Sequence, residues 1–292
     1  MDASLNLALV EERLTTRYVG RNLLHLTQTT STQSVARTEA KRDAPEGTAV
    51  LTEEQTGGRG RLGRSWVSPA GKNLYLTLVM RPTARHMRAL SIVAPLAIAE
   101  ALEEAAGLTC RIKWPNDVLV GGRKIAGVLI ETDLAGAAVK YALVGMGVNV
   151  NFDASAVSEI ADVATSVQRE LGRDGSREEV LAALLNAFEA RYTDAQEGDA
   201  TFRAWRSRLE TLGRRVRATL GERAEEGVAE DVDAQGSLLI RREDGSLVTV
   251  EAGDVTLRAK ARPLSPSSSL PPPAPGDGCR PGHHRCRHLR RA

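Results

Sequence analysis

The 292-residue chain predicts an α+β fold, a mixed β-sheet with packed helices followed by a small all-β barrel. Three observations carry this. Between Leu23 and Val150, β-rich runs recur, several of them with apolar residues at every second position. Ala89 to Ala106 and Ser176 to Glu197 instead repeat their apolar residues at helical spacing. From Gly213 onward, short β runs alternate with Gly/Asp turns over about fifty residues, the texture of a small barrel.

Leu23 to Leu26 reads as a short strand, and Ser31 or Thr32 caps a helix over roughly Ser34 to Arg42. Thr48 to Glu53 is a strand that delivers the chain into a Gly/Arg segment. Asn73 to Met80 alternates Leu74, Leu76, Leu78 and Met80 against Tyr75, Thr77 and Val79. The Ala89 to Ala106 helix contains Pro95, placed at a kink. Arg111 to Trp114, Asp117 to Val120 and Ile125 to Glu131 read as strands, with Gly121-Gly122 turning a hairpin between the last two. Val139 to Val150 is a further β run. Ser176 caps the second helix and Glu179 completes a capping box. A shorter helix covers Thr201 to Arg208. The barrel strands are Arg214 to Thr219, Glu226 to Asp233, Ser237 to Arg242 and Leu247 to Glu251. The expected division is 1–210, 211–261 and a disordered Pro/Arg-rich tail over 262–292.

Composition narrows the function. Hydrophobic residues make up 42% and charged residues 26%, ordinary for a soluble globular protein, while aromatics at 3% leave the core to Leu, Val, Ile and Ala. The net charge of +2 hides an asymmetry. Arg262 to Ala292 holds six arginines against Asp277, so the body carries 33 bases against 36 acids, or −3. A slightly acidic body is no argument for nucleic-acid binding, and no nucleic-acid partner is expected. The apolar stretch Ile92 to Leu102 is too short to span a bilayer, and the N-terminus lacks a secretory signal, so no membrane and a cytoplasmic location are expected. Cys279, His283, His284, Cys286 and His288 match no usual zinc spacing, and Cys110 stands alone.

Gly58-Arg59-Gly60-Arg61-Leu62-Gly63-Arg64-Ser65-Trp66 places three guanidinium groups on a backbone punctuated by glycines. Like charges so close repel, and glycines raise the entropy lost on ordering. An anionic ligand would supply the counter-charge, because Arg forks match phosphate or carboxylate oxygens and glycine lets backbone amides approach. A solvated loop or an RGG-like RNA contact fits the same residues taken alone. The neighbours decide. Lys113-Trp114-Pro115-Asn116-Asp117, Gly121-Gly122-Arg123-Lys124-Ile125-Ala126-Gly127, Gly145-Met146-Gly147-Val148-Asn149, Ser31-Thr32-Gln33 and Glu53-Glu54-Gln55-Thr56-Gly57 stand in order around it. Together these segments resemble the biotin–protein ligases (biotin–[acetyl-CoA-carboxylase] ligases), from about Leu23 to about Leu257. About twenty residues precede the first strand, too few for the helix-turn-helix domain that makes some family members repressors. Lipoate ligases and octanoyltransferases share the fold but carry different Gly/Arg and Lys motifs.

The resemblance implies a class II synthetase-like catalytic sheet and an SH3-like C-terminal domain. It also implies a two-step ligase. Biotin and ATP, with Mg²⁺, give biotinyl-5′-AMP, and a lysine of a biotin carboxyl carrier protein then takes the biotin; a homodimer is compatible with it. Anion–anion repulsion dominates the first step, so cations placed where charge develops are the remedy. Lys124, Arg59 and Arg61 are the catalytic candidates. Lys124 bridges carboxylate and α-phosphate by resemblance, where a compact point charge can follow moving oxygens; an exposed turn lysine is the commoner role for lysines generally, and the flanking motif weighs against it here. Arg64 is expected on the distal phosphates or as a surface charge. Asn116 and Asp117 match positions near the nucleotide, with Asp117 the Mg²⁺ ligand, and Pro-Asn-Asp is also a turn signal. Asn149 contacts ATP or ties down a strand end. Ser31, Thr32, Gln33 and Gln55, with the backbone of Gly58 and Gly127, are candidates for biotin's ureido ring; Ser31 and Thr32 also suit capping. Family members commonly have Asn at Gln33 and Ala at Gly57. Trp66 and Trp114 wall the pocket or fill the core.

Overall fold

The computed structural model describes residues 4–257 except 137, 221, 222 and 252; the expected Pro/Arg-rich tail and its Cys/His cluster lie outside the described residues. Strands β1 (Leu23–Thr29), β2 (Thr48–Gln55), β3 (Leu74–Met80), β4 (Arg111–Lys113), β5 (Asp117–Val120), β6 (Arg123–Ala135) and β7 (Ala138–Val148) form one sheet in the order β1-β2-β3-β7-β6-β5-β4. Only β1 and β2 pair in parallel. Their connection is a crossover through helix α2 (Thr32–Lys41), as a parallel pair requires. The β5–β6 hairpin turns on Gly121 and Gly122 with φ of 55° and 79°, the left-handed pair such a two-residue turn needs.

The pleat sorts the two faces. Leu74, Leu76, Leu78, Met80, Ala142, Val144 and Met146 point into the main core beneath helices α3 (Leu90–Ala106) and α5 (Arg177–Glu197). Helix α3 runs unbroken through buried Pro95 and is apolar nearly all round, as a helix inside a core should be. On the other face, Ala36 and Ala40 of α2 cover Val50, Val79, Tyr141 and Leu143. Pairing aligns Thr52, Tyr75, Gly147, Gly127 and Asp117 in one row across five strands. That row underlies the functional cavity.

Helix α1 (Leu7–Arg13) was not predicted, and it packs beside α5. Two carboxylates tie its segment down. Glu53 accepts from the Leu5 N–H at 2.8 Å, and Glu189 accepts from the N–H groups of Arg17, Tyr18 and Val19. Ser176 caps α5 through the Glu179 N–H, but the Glu179 carboxylate pairs with Arg13 rather than closing a capping box. Helices α4 (Val167–Leu171) and α6 (Ala200–Ser207) complete this part.

Strands β8 (Arg215–Leu220), β9 (Arg223–Val232), β10 (Leu238–Arg241), β11 (Leu247–Val250) and β12 (Asp254–Leu257) form the antiparallel SH3-like sheet, ordered β11-β10-β9-β8-β12. Its core of Val216, Ala229, Leu238, Ile240 and Val255 continues into Ile112, Trp114 and Trp205. Trp114 donates through Nε1 to Gly236 O at 2.8 Å, so it is a core residue joining the two sheets. Among the described residues no helix is long and apolar enough to cross a membrane.

Candidate functional site

Gly58 to Trp66 folds as a small hairpin. Trp66 N–H donates to Gly58 O, Gly60 N–H donates to Arg64 O, and Arg59 bridges Ser65. At its tip Leu62 and Gly63 take φ of 55° and 75°; for leucine that conformation costs roughly 1–2 kcal/mol. Gly58 is a steric requirement, since a Cβ there would meet Trp66 O at 2.5 Å.

The three guanidiniums find partners outside the hairpin. Arg59 lies 3.6 Å from Glu131, which also pairs with Arg37 at 2.6 Å. Arg61 donates to Asn116 Oδ1 at 2.8 Å, and Arg64 pairs with Asp254 on β12. Burial pulls the Arg61 guanidinium below its usual range, against the attraction of Asp117 and Asp254, while the neighbouring Arg64 lowers it further. The counter-charge expected from a ligand is thus partly met by the protein's own carboxylates.

Lys124 is the second residue of β6, and the chain grips its backbone on both sides: its N–H donates to Val163 O at 2.8 Å and its carbonyl accepts from Thr165 N–H at 2.9 Å. Its ammonium stands 2.6 Å from Asp117 Oδ1 and 5.2 Å from the centroid of the Trp66 ring, within cation–π range. Two glycines make this stack possible. A Cβ on Gly127 would meet Lys124 Cε at 2.9 Å, and one on Gly147 would meet the Trp66 indole at 2.5 Å.

Opposite lies a polar end. Ser31, Thr32 and Gln33 are buried. Gln55 Oε1 accepts from the N–H of Thr32 at 3.0 Å and its hydroxyl at 3.2 Å, and Thr77 donates to that hydroxyl at 2.9 Å. Ser31 occupies the N-cap of α2 but makes no side-chain cap bond, so its hydroxyl is not spent on the helix.

One cavity of about 120 Å³ is bordered by Ser31, Thr32, Gln33, Gln55, Arg59, Arg61, Arg64, Trp66, Asn116, Asp117, Lys124 and Gly127. Of the sequence candidates, Gly58, Asn149 and Trp114 do not border it. Asn149 is buried behind it, donating to Thr165 O at 3.0 Å, and so steadies the segment that grips Lys124. Sequence reasoning missed Asp254, which borders the cavity from the C-terminal sheet, and Glu131, which holds Arg59. Glu131 ends the expected Ile125 to Glu131 strand and was findable; Asp254 lies 190 residues from its partner Arg64, beyond any local signal. The volume is below the ~300–1,000 Å³ of ordinary ligand sites. A nucleotide-sized ligand would have to part the hairpin's contacts.

Magnesium would find no resident cluster: among the described residues no three His, Cys, Asp or Glu side chains could hold a metal. Asp117 with Asn116 beside it suits an ion that keeps its waters and arrives on substrate phosphates.

Residues 24–149 match the biotin/lipoate A/B protein ligase family, and residues 211–258 match the biotin protein ligase C terminal domain. The chain is 43% identical over 208 residues to a biotin–[acetyl-CoA-carboxylase] ligase of Paracoccus denitrificans, covering 68% of this chain and 86% of that protein. It is 34% identical over 246 residues to one of Mycobacterium tuberculosis, covering 80% and 88%. In structure it is similar to the biotin protein ligase of Aquifex aeolicus solved in complex with biotin and ATP, with a TM-score of 0.67, 31% identity and coverage of 82% and 99%. The chain belongs to the biotin/lipoate A/B protein ligase family, as one of its biotin protein ligases.

Proposed function

We propose that this biotin ligase joins biotin to ATP in the cavity between the Gly/Arg hairpin and β6, then passes it to a lysine of a biotin carboxyl carrier protein. The observation that carries the reading is Lys124, its backbone held on both sides and its ammonium against Asp117, in one cavity with the hairpin arginines. In the first step a biotin carboxylate oxygen bonds to the α-phosphorus and the bond to the bridging oxygen of pyrophosphate breaks. Lys124 and Arg59 offset the repulsion as the two anions meet, and Arg61 and Arg64 hold phosphate oxygens. When bound with ATP, Mg²⁺ would neutralise charge on the departing pyrophosphate, with Asp117 as its protein ligand. In the second step the carrier's ε-amine bonds to the acyl carbon, loses a proton, and AMP leaves.

Ser31, Thr32, Gln55 and the backbone at Gly127 are assigned to the biotin end, and Asn116 and Trp66 to the nucleotide end. Gly58 and Asn149 act through what they hold, namely the hairpin base and Thr165. Biotin-dependent ATP–pyrophosphate exchange, with lipoate and octanoate as controls, tests the reading. Exchange driven equally by lipoate would overturn it.

A further inference from the structure

We infer that Glu170 is a positioning residue for adenylate formation, because it holds the β-bulge that turns Lys124 into the cavity; this rests on the reading above that Lys124 brings the two anions together. Lys124 and Gly127 both border the cavity, while the two residues between them, Ile125 and Ala126, are both buried in the main core. A regular strand cannot do this, since its side chains alternate and residues three apart point to opposite faces. The register shows how β6 manages it. Val118 pairs with Ala126 and Leu119 with Lys124, so Ile125 is skipped and stands as the extra residue of a bulge. Without that extra residue the pleat would send the Lys124 side chain to the core face, away from Asp117.

A bulge disrupts the ladder locally, so the backbone around Lys124 depends on what else holds it. Asn149 N–H donates to Ile125 O at 2.9 Å, and Val163 and Thr165 take the two backbone groups of Lys124. Helix α4 pins that clamp in turn. Glu170 Oε1 accepts from the Thr165 hydroxyl and from Arg123 Nη2, the second at 2.8 Å. One carboxylate thus holds both the residue before Lys124 and the residue that binds the Lys124 carbonyl. Thr165 is fully buried and the Glu170 side chain is 18% exposed, so these bonds are shielded from water, and the one to Arg123 is between opposite charges. Glu170 does not border the cavity, and its effect on the reaction must pass through Lys124.

The test measures single-turnover formation of biotinyl-AMP, with KM for biotin and ATP, in wild type, Glu170→Ala, Glu170→Gln, Lys124→Ala and the double variant Lys124→Ala/Glu170→Ala. Glu170→Ala should slow adenylation ~10–100-fold while both KM values stay near wild type. Glu170→Gln should recover most of that rate, because an amide oxygen accepts the same two bonds. On the Lys124→Ala background, Glu170→Ala should change the rate by no more than about twofold, since the group it positions is gone. Wild-type adenylation by Glu170→Ala, a Gln variant as slow as the Ala variant, or a full second loss in the double variant overturns the role of Glu170. If Glu170→Ala does not fold, Thr165→Val carries the same comparison: a loss confined to the background that keeps Lys124 supports the role, and a wild-type rate or a loss on both backgrounds overturns it. Wild-type adenylation by Lys124→Ala would overturn the reading of Lys124 itself, a result distinct from the failure of Glu170 alone.

Discussion

Gly147→Ala is a one-methyl change that should disable the first half-reaction. The new Cβ would lie 2.5 Å from the Trp66 ring, where ordinary contact begins near 3.4 Å, so ring or strand must give by about 1 Å. The strand is held by β3 on one side and β6 on the other, in register with Tyr75 and Gly127, so the ring moves. The Lys124 ammonium, 5.2 Å over that ring and 2.6 Å from Asp117, loses its seat. Displacement of a reacting group by this much costs ~10²-fold in rate. Overpacking should cost about 1–3 kcal/mol of stability, a loss a folded ligase can survive. The assay is single-turnover formation of biotinyl-AMP, read beside thermal melting. Wild-type adenylation in a folded Gly147→Ala protein would refute the claim that the glycine exists to seat the indole and, through it, the lysine.

Lys124→Ala should lower pyrophosphate exchange by ~10²–10³-fold while leaving biotin binding nearly intact by calorimetry. Arg61→Gly removes the bond to Asn116, so the hairpin should release biotinyl-AMP sooner and foreign proteins should acquire biotin on a streptavidin blot. Asp254→Ala breaks an exposed pair worth about 0–1 kcal/mol, so melting should barely move while adenylate dissociation quickens. Burial alone would raise the Glu53 carboxyl, but Arg177, the Leu5 N–H and His25 outweigh it and hold it below its ordinary value. Its stabilisation is therefore present above the ordinary carboxylate range and lost as pH falls through the depressed value. Glu53→Gln should flatten the acid limb of a stability–pH curve measured by denaturant titration, and lower stability near neutrality by removing the buried charge that faces Arg177 at 2.6 Å.

The fold was legible where the signal is local. The β3 alternation, the Gly121-Gly122 hairpin and the α5 cap at Ser176 each rest on neighbouring residues, and each stands in the structure. Helix α1 was not legible, because it has no side-chain cap and is tied down by Glu53 and Glu189, far away in sequence. Site motifs brought Lys124, Asp117 and the hairpin arginines to one cavity, since spacing within a hairpin fixes which side chains can meet. What spacing could not show was occupancy of those charges by Glu131 and Asp254, because counter-ions from other strands are settled only by tertiary packing. Nor could a motif tell that Asn149 turns away from the cavity: an amide at a strand end serves either side equally well until its neighbours are placed.

The position of Trp66 also has an optical consequence. The chain has three tryptophans, and two of them, Trp114 and Trp205, are sealed in the core that joins the two sheets. Of the three, Trp66 borders the cavity, with the Lys124 ammonium over its ring and Gly147 of β7 packed against it. Its emission therefore rides on a nearly constant background from the sealed pair. A ligand that draws the ammonium off the indole, or parts the hairpin, alters the field and solvation of this one fluorophore. The protein thus carries its own label for each step of adenylate formation and release, readable by stopped flow without any added dye.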